Sequence, residues 1–118
     1  MSDARRSLGA AGEDVAAAWY TARGYEVVAR NWRCREGELD LVVARDGELV
    51  FCEVKTRSSD RFGVPAEAVT PSKQRRLRVL AARYLAETAD PPVVRRRGIR
   101  FDVASVMAGK VEVIEAAF

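Results

Sequence analysis

A chain of 118 residues has room for one hydrophobic core and not two, so a single domain over residues 1–118 is expected. It has no histidine, which excludes histidine general bases, zinc sets that include histidine, and Ser-His or Cys-His nucleophile pairs. Its two cysteines, Cys34 and Cys52, lack metal-ligand spacing, no apolar run is long enough to span a membrane, and the start, with Asp3, Arg5 and Arg6, lacks a signal peptide's apolar centre. A cytoplasmic protein with reduced thiols and no membrane partner is the expectation.

In chain order, the first predicted element is a helix over about Leu8 to Arg23, with Leu8, Ala11, Val15, Ala18, Trp19 and Ala22 as its apolar stripe and Gly24 closing it. Tyr25 to Asn31 reads as a strand and Trp32 to Gly37 as a linking segment. Two strands follow, Glu38 to Arg45 and Glu48 to Lys55, joined by Asp46-Gly47, one of the strongest short hairpin signals. Thr56 to Pro65 is irregular and rich in Ser, Gly and charge, as a segment lying over a substrate would be. Thr70 as N-cap and Pro71 at the first position open a second helix that buries Leu77, Leu80, Ala81, Tyr84 and Leu85. Beyond Pro91-Pro92, Ile99 to Val106 and Val111 to Ile114 read as strands on either side of a turn at Gly109. The order α-β-β-β-α-β-β predicts an α/β domain, a mixed central sheet of about five strands flanked by helices.

The hairpin carries the chemistry. With a two-residue turn Arg45 faces Glu48, so Asp40 falls opposite Glu53 and Glu38 opposite Lys55, and period-two alternation puts all four on one face. Opposed strand residues have Cβ atoms roughly 4.5–5.5 Å apart, so two carboxylates placed this way repel unless a cation lies between them. Hard divalent cations such as magnesium take oxygen ligands, need one or two carboxylates, and keep waters and phosphate oxygens for the remaining positions. A lysine beside them would orient a water or steady charge on a phosphate. The plainer alternative is a solvated strand end. Against it, the same face continues toward the turn as Val42, Ala44, Phe51 and Leu49, while Leu39, Leu41, Val43, Val50, Cys52 and Val54 line the other. A hairpin apolar on both faces is covered on both, and a charged cluster at its end marks a cleft.

Net charge is only +3, but from Arg57 to Arg100 eleven basic residues stand against four acidic ones. Arg57, Lys73, Arg75, Arg76, Arg78, Arg95, Arg96 and Arg97 are the candidate contacts for nucleic acid, since arginine suits bidentate phosphate binding. A GC-rich coding bias or a merely soluble helix face would give similar richness.

Asp40 on one strand and Glu53-Val54-Lys55 on the next resemble the split signature of the PD-(D/E)XK nucleases, the restriction-endonuclease-like fold. Gly12-Glu13 with Ala16, Gly24-Tyr25, Arg30-Asn31, Gly37-Glu38-Leu39-Asp40, Glu53 to Arg57, Phe62-Gly63, Glu67-Ala68-Val69 and Arg100-Phe101-Asp102-Val103 together resemble the YraN-like family of small bacterial proteins. The resemblance implies that Asp40, Glu53 and the carbonyl of Val54 hold Mg2+ or Mn2+ and that Lys55 positions or activates the attacking water. By similarity to archaeal Holliday-junction resolvases, the place of Glu13 ahead of Gly24-Tyr25 implies a ligand of a second metal or a residue that supports the metal site from behind the ligands. Read on the helix alone, Glu13 points away from the Leu8-Val15-Trp19 stripe, as a solvated glutamate does, yet Gly9, Ala10, Ala16 and Ala17 beside it would let a backbone approach. Three departures stand out. Leu39 replaces the proline of the signature, Gln74 meets Arg78 where a Gln-x-x-x-Tyr element would end, and Glu38 is an extra acid, opposite Lys55. Asp102 reads as a strand-end or helix-contact residue.

These readings converge on a Mg- or Mn-dependent nuclease acting on DNA in preference to RNA, with a homodimer required for symmetric cleavage of two strands. Branched or distorted DNA is the substrate this suggests; the competing readings are a catalytically weak or inactive nucleic-acid-binding module of the same fold, and a protein-interaction domain with a coincidental acidic cluster.

Overall fold

Asp46 and Gly47 both take left-handed backbone, φ 53° and 83°, the turn whose twist matches two antiparallel strands, and they lock Arg45 opposite Glu48. Around that hairpin the computed structural model describes residues 3–57, 69–88 and 98–118, with side chains from residue 9 onward. The elements are α1 (Asp3–Ala22), β1 (Glu26–Cys34), β2 (Gly37–Arg45), β3 (Glu48–Arg57), α2 (Pro71–Glu87), β4 (Gly98–Met107) and β5 (Lys110–Ile114). They form an α/β domain with one five-stranded sheet in the order β1-β2-β3-β4-β5. β3 and β4 run parallel, joined through α2, and all other neighbours are antiparallel. Much of the irregular stretch after Thr56 lies outside the described residues. No helix among the described residues is long and apolar enough to cross a membrane.

Each helix covers one face of the sheet. α2 lays Leu77, Leu80, Ala81 and Tyr84 on Leu39, Val42, Phe51, Phe101 and Val103. Its start follows from capping, because the Thr70 hydroxyl accepts the Lys73 N–H at 3.3 Å and Pro71 sits where no intrahelical donor is needed. α1 covers the other face, where Ala16 and Tyr20 pack among Leu41, Val43, Val50, Cys52 and Ala104.

Three sequence expectations change. The buried face of α1 is Gly12, Ala16 and Tyr20, while Ala11, Ala18 and Ala22 of the predicted stripe are exposed and Val15 and Trp19 are half-buried. The cause is close approach: a Cβ on Gly12 would stand 1.9 Å from Thr56 Oγ1, so small residues bring the helix backbone onto β3 where a larger apolar stripe would hold it off. Secondly, Trp32 to Cys34 are strand and not linker, because Trp32 pairs with Leu39 and sets its ring edge-on to Tyr84 at 5.3 Å. Thirdly, Leu39 does not share a face with Leu41 and Val43 but joins Val42 and Trp32 under α2. The β1–β2 register shifts between Val27 and Ala29, and further along, between the Arg30–Leu41 and Trp32–Leu39 pairs, the alternation of faces slips at Asn31, whose φ is 53°, and at Asp40.

Candidate active site

That slip of alternation lies where the functional side chains gather. The β2–β3 ladder runs from the turn to Leu41 opposite Cys52. One step further on, Asp40 turns its carboxylate to the other backbone, and Oδ2 accepts the Val54 N–H at 2.9 Å. Burial, the negative charge of Glu53 and, more weakly, that of Glu13 push the Asp40 carboxyl up to about 7, against the lowering effect of the Val54 N–H. Glu53 is a close enough neighbour for its charge to act directly on Asp40. Asp40 and Glu53 are thus neighbours just beyond the last paired residues, at a point where the strands part.

Glu53 faces α2. Its Oε2 has Lys55 Nζ at 3.8 Å and Lys73 Nζ at 3.9 Å, and its side chain is only 13% exposed. Lys73, read from the sequence as part of a basic surface, is therefore a member of this cluster. Lys55 shares the same Glu53 oxygen, and that like-charged neighbour, followed by burial, pulls the Lys73 pKa down while Glu53 opposes the shift. Spacing within the hairpin carried no sign of this, because α2 crosses over β3 only through the tertiary fold.

Glu13 is not the solvated glutamate of the helix-only reading; its side chain is 14% exposed. Gly12 holds this turn of α1 against β3, and the carboxyl receives a hydrogen bond from the Asn31 side chain and has Arg30 NH2 at 3.8 Å. Burial raises its pKa against those two favourable partners. Asn31 is a residue that the sequence reading named without giving it a role. Its left-handed backbone, which asparagine tolerates, places the amide beside Glu13.

Glu38 does not reach Lys55. It pairs across the sheet with Arg33 of β1, whose Nε donates to Oε2 at 2.6 Å, because β2 and β3 have separated by this point while β1 and β2 remain in register. Among the arginines, Arg75 and Arg76 are exposed on α2, and Arg78 lies over the rings of Phe101 and Phe118, 5.1 and 5.3 Å from their centroids. Arg57 is half-buried at the end of β3, and Arg95, Arg96 and Arg97 lie outside the described residues. Asp102 is a helix contact. Fully buried, it accepts from Tyr20 Oη at 2.6 Å, from Arg100 Nε at 2.8 Å and from the Ala116 N–H at 3.0 Å.

The side chains brought together that could hold an ion, the carboxylates of Asp40 and Glu53, offer oxygen alone. Such a set suits a hard divalent cation that keeps the rest of its shell for water and substrate. Glu13 acts on Asp40 through its negative charge, and among the described residues no group of three acidic, histidine or cysteine side chains that could hold a metal ion is found.

Residues 12–106, a stretch bounded by Gly12 on α1 and Val106 on β4, match the profile of the uncharacterised protein family UPF0102. A UPF0102 protein of Beutenbergia cavernae is 59% identical over 105 residues, covering 88% of this chain and 85% of its own. One from Frankia casuarinae is 54% identical over 98% of both chains, and one from Symbiobacterium thermophilum is 51% identical over 88% and 85%. The chain belongs to the UPF0102, YraN-like family.

Proposed function

We propose that this protein is a metal-dependent nuclease of the restriction-endonuclease-like, PD-(D/E)XK class, hydrolysing phosphodiester bonds of DNA at branched or distorted sites. The observation that carries the reading is the meeting of Asp40 and Glu53 where β2 and β3 part, with the Asp40 carboxyl pushed up to about 7 and two lysines beside Glu53. Carboxylates forced together at a structural cost are a mark of a site built for a cation.

Asp40, Glu53 and the Val54 carbonyl would hold Mg2+ or Mn2+. When bound, such an ion neutralises charge on phosphate oxygens and favours attack by water. The chain's own residues do the rest. The Val54 N–H fixes the Asp40 carboxylate so that no rotamer search precedes binding. Lys55 orients the attacking water and steadies the phosphate. Glu13, held by Asn31 and Arg30, adds negative potential behind Asp40. Arg75 and Arg76 on the exposed face of α2 contact the DNA backbone, with Arg57 at the end of β3 as a further candidate contact. One such centre cuts one strand, so cutting two symmetrically takes two copies.

A second reading keeps the DNA contact and drops the chemistry, and one observation favours it: Glu53 already has two ammonium groups near it, a partly neutralised arrangement that needs no metal. The test is cleavage of linear, single-stranded, flapped and four-way-junction DNA in Mg2+ and in Mn2+ by wild type and Glu53→Ala. Divalent-dependent cleavage by wild type alone, with DNA affinity nearly equal in both, supports the nuclease; tight binding with no cleavage by either supports the binding module.

A further inference from the structure

Lys73 stands where the energetics of the isolated fold argue against a cation. It is the third residue of α2, in a first turn that carries no acidic side chain, and its N–H is tied to the Thr70 hydroxyl, which fixes its place on the helix. Positive charge there opposes the helix dipole, and the residue type that completes a capping box at this position is glutamate or glutamine. Its ammonium is also held beside that of Lys55, like charge against like. The only carboxylate oxygen near both is Glu53 Oε2, among the contacts of the described residues, and at 3.8 and 3.9 Å neither lysine makes a hydrogen bond to it. Both side chains are mostly covered, 33% and 27% exposed, so they are not simply extended into water. Two ammonium groups therefore share a single carboxylate oxygen beside the cluster where Asp40 and Glu53 meet.

We propose that Lys73 is a further catalytic residue: together with Lys55 it clamps the non-bridging oxygens of the phosphate under attack, so that β3 and α2 each supply one ammonium group to the substrate. This rests on the nuclease reading for the identity of the phosphate as the scissile one. The clamp explains both unfavourable placements, since a phosphate relieves the repulsion between the lysines and accepts the exposed charge of the first helical turn.

The experiment compares wild type, Lys73→Ala, Lys73→Arg and Glu53→Ala. Melting temperature is measured for each, and affinity for a labelled four-way junction is followed by anisotropy in EDTA across a salt series. Cleavage in Mn2+ is measured in parallel. Lys73→Ala should melt no lower than wild type, bind about tenfold more weakly at low salt, and lose about one unit from the slope of log K against log salt. It should cleave at least about a hundredfold more slowly, and Lys73→Arg should restore most of the affinity. Unchanged affinity and salt slope in Lys73→Ala would overturn the proposal, as would a loss of several degrees in melting temperature that arginine fails to repair, since that marks a structural lysine. If wild type binds but does not cut, while Lys73→Ala still loses its phosphate contact, the nuclease reading fails and the contact stands. If wild type neither binds nor cuts any DNA, both are overturned.

Discussion

Asp40 has the most distinctive chemistry of any single residue here, and its burden predicts a pH response. Its carboxyl is raised in the folded chain from 3.8 to about 7, so folding binds a proton that the unfolded chain releases. Stability from this group is present in full below pH 4 and is lost as pH rises through 7. Without divalent ions the melting temperature should therefore fall between pH 5 and pH 8, and Asp40→Asn should flatten that profile. A saturating divalent ion at pH 8 should raise the wild-type melting temperature and leave Asp40→Asn unmoved, as thermal melts with and without Mn2+ would record. The nearness of Asp40 to Glu53 was legible in the sequence, because a two-residue turn fixes register by counting up to Leu41 and Cys52 beside them. The roles of Glu38 and Lys73 were not legible. Counting continues a flat ladder, whereas the strands separate after Leu41 and Cys52, sending Glu38 to Arg33 and opening space that Lys73 reaches from another element.

Individual elements test how the site is supported. α1 is held at both ends of its buried face, by Gly12 against Thr56 and by Tyr20 on Asp102. Gly12→Ala should cost about 1–3 kcal/mol through overpacking and shift Glu13 off the sheet, so that chemical denaturation shows the loss and the pH dependence of melting weakens. Asp102→Ala should be more severe, at about 3–5 kcal/mol, because it leaves the Arg100 guanidinium, 16% exposed, without its buried partner. Thr70→Ala removes the cap of α2 and should cost about 1 kcal/mol. Helix α2 was predictable because a cap, a proline and a large apolar face all agree; Leu77, Leu80, Ala81 and Tyr84 are buried as their spacing requires. The face of α1 was misread for the opposite reason. An apolar stripe marks where large side chains go, but this helix docks through a glycine and alanines, which carry almost no hydrophobic signal, and through a tyrosine chosen for its hydroxyl as much as its ring.

Across the whole molecule, the sheet divides the work between its faces. One helix carries Glu13 and the other Lys73, so both layers meet the hairpin at the same end, and neither helix alone could complete the site. On the proposed reading, the phosphate contacts run from the cluster onto α2, where Arg75 and Arg76 are exposed. Replacing both with glutamine should weaken DNA binding across sequences and reduce its salt dependence by about two in slope, without changing the ion requirement. The fold class and the element order were legible because hairpin, cap and alternation agree at each step; the slip at Asn31 and Asp40 was hidden because it depends on one left-handed residue and on a side chain bonding the neighbouring backbone. The most direct test of the account is single-turnover cleavage of a 5′-labelled four-way junction, with protein in excess and Mn2+ present, for wild type, Asp40→Asn and Lys55→Ala. The account predicts cleavage by wild type that EDTA abolishes and that each substitution slows by about a hundredfold or more. Equal cleavage by all three, or none by a wild type that binds the junction tightly, would contradict it.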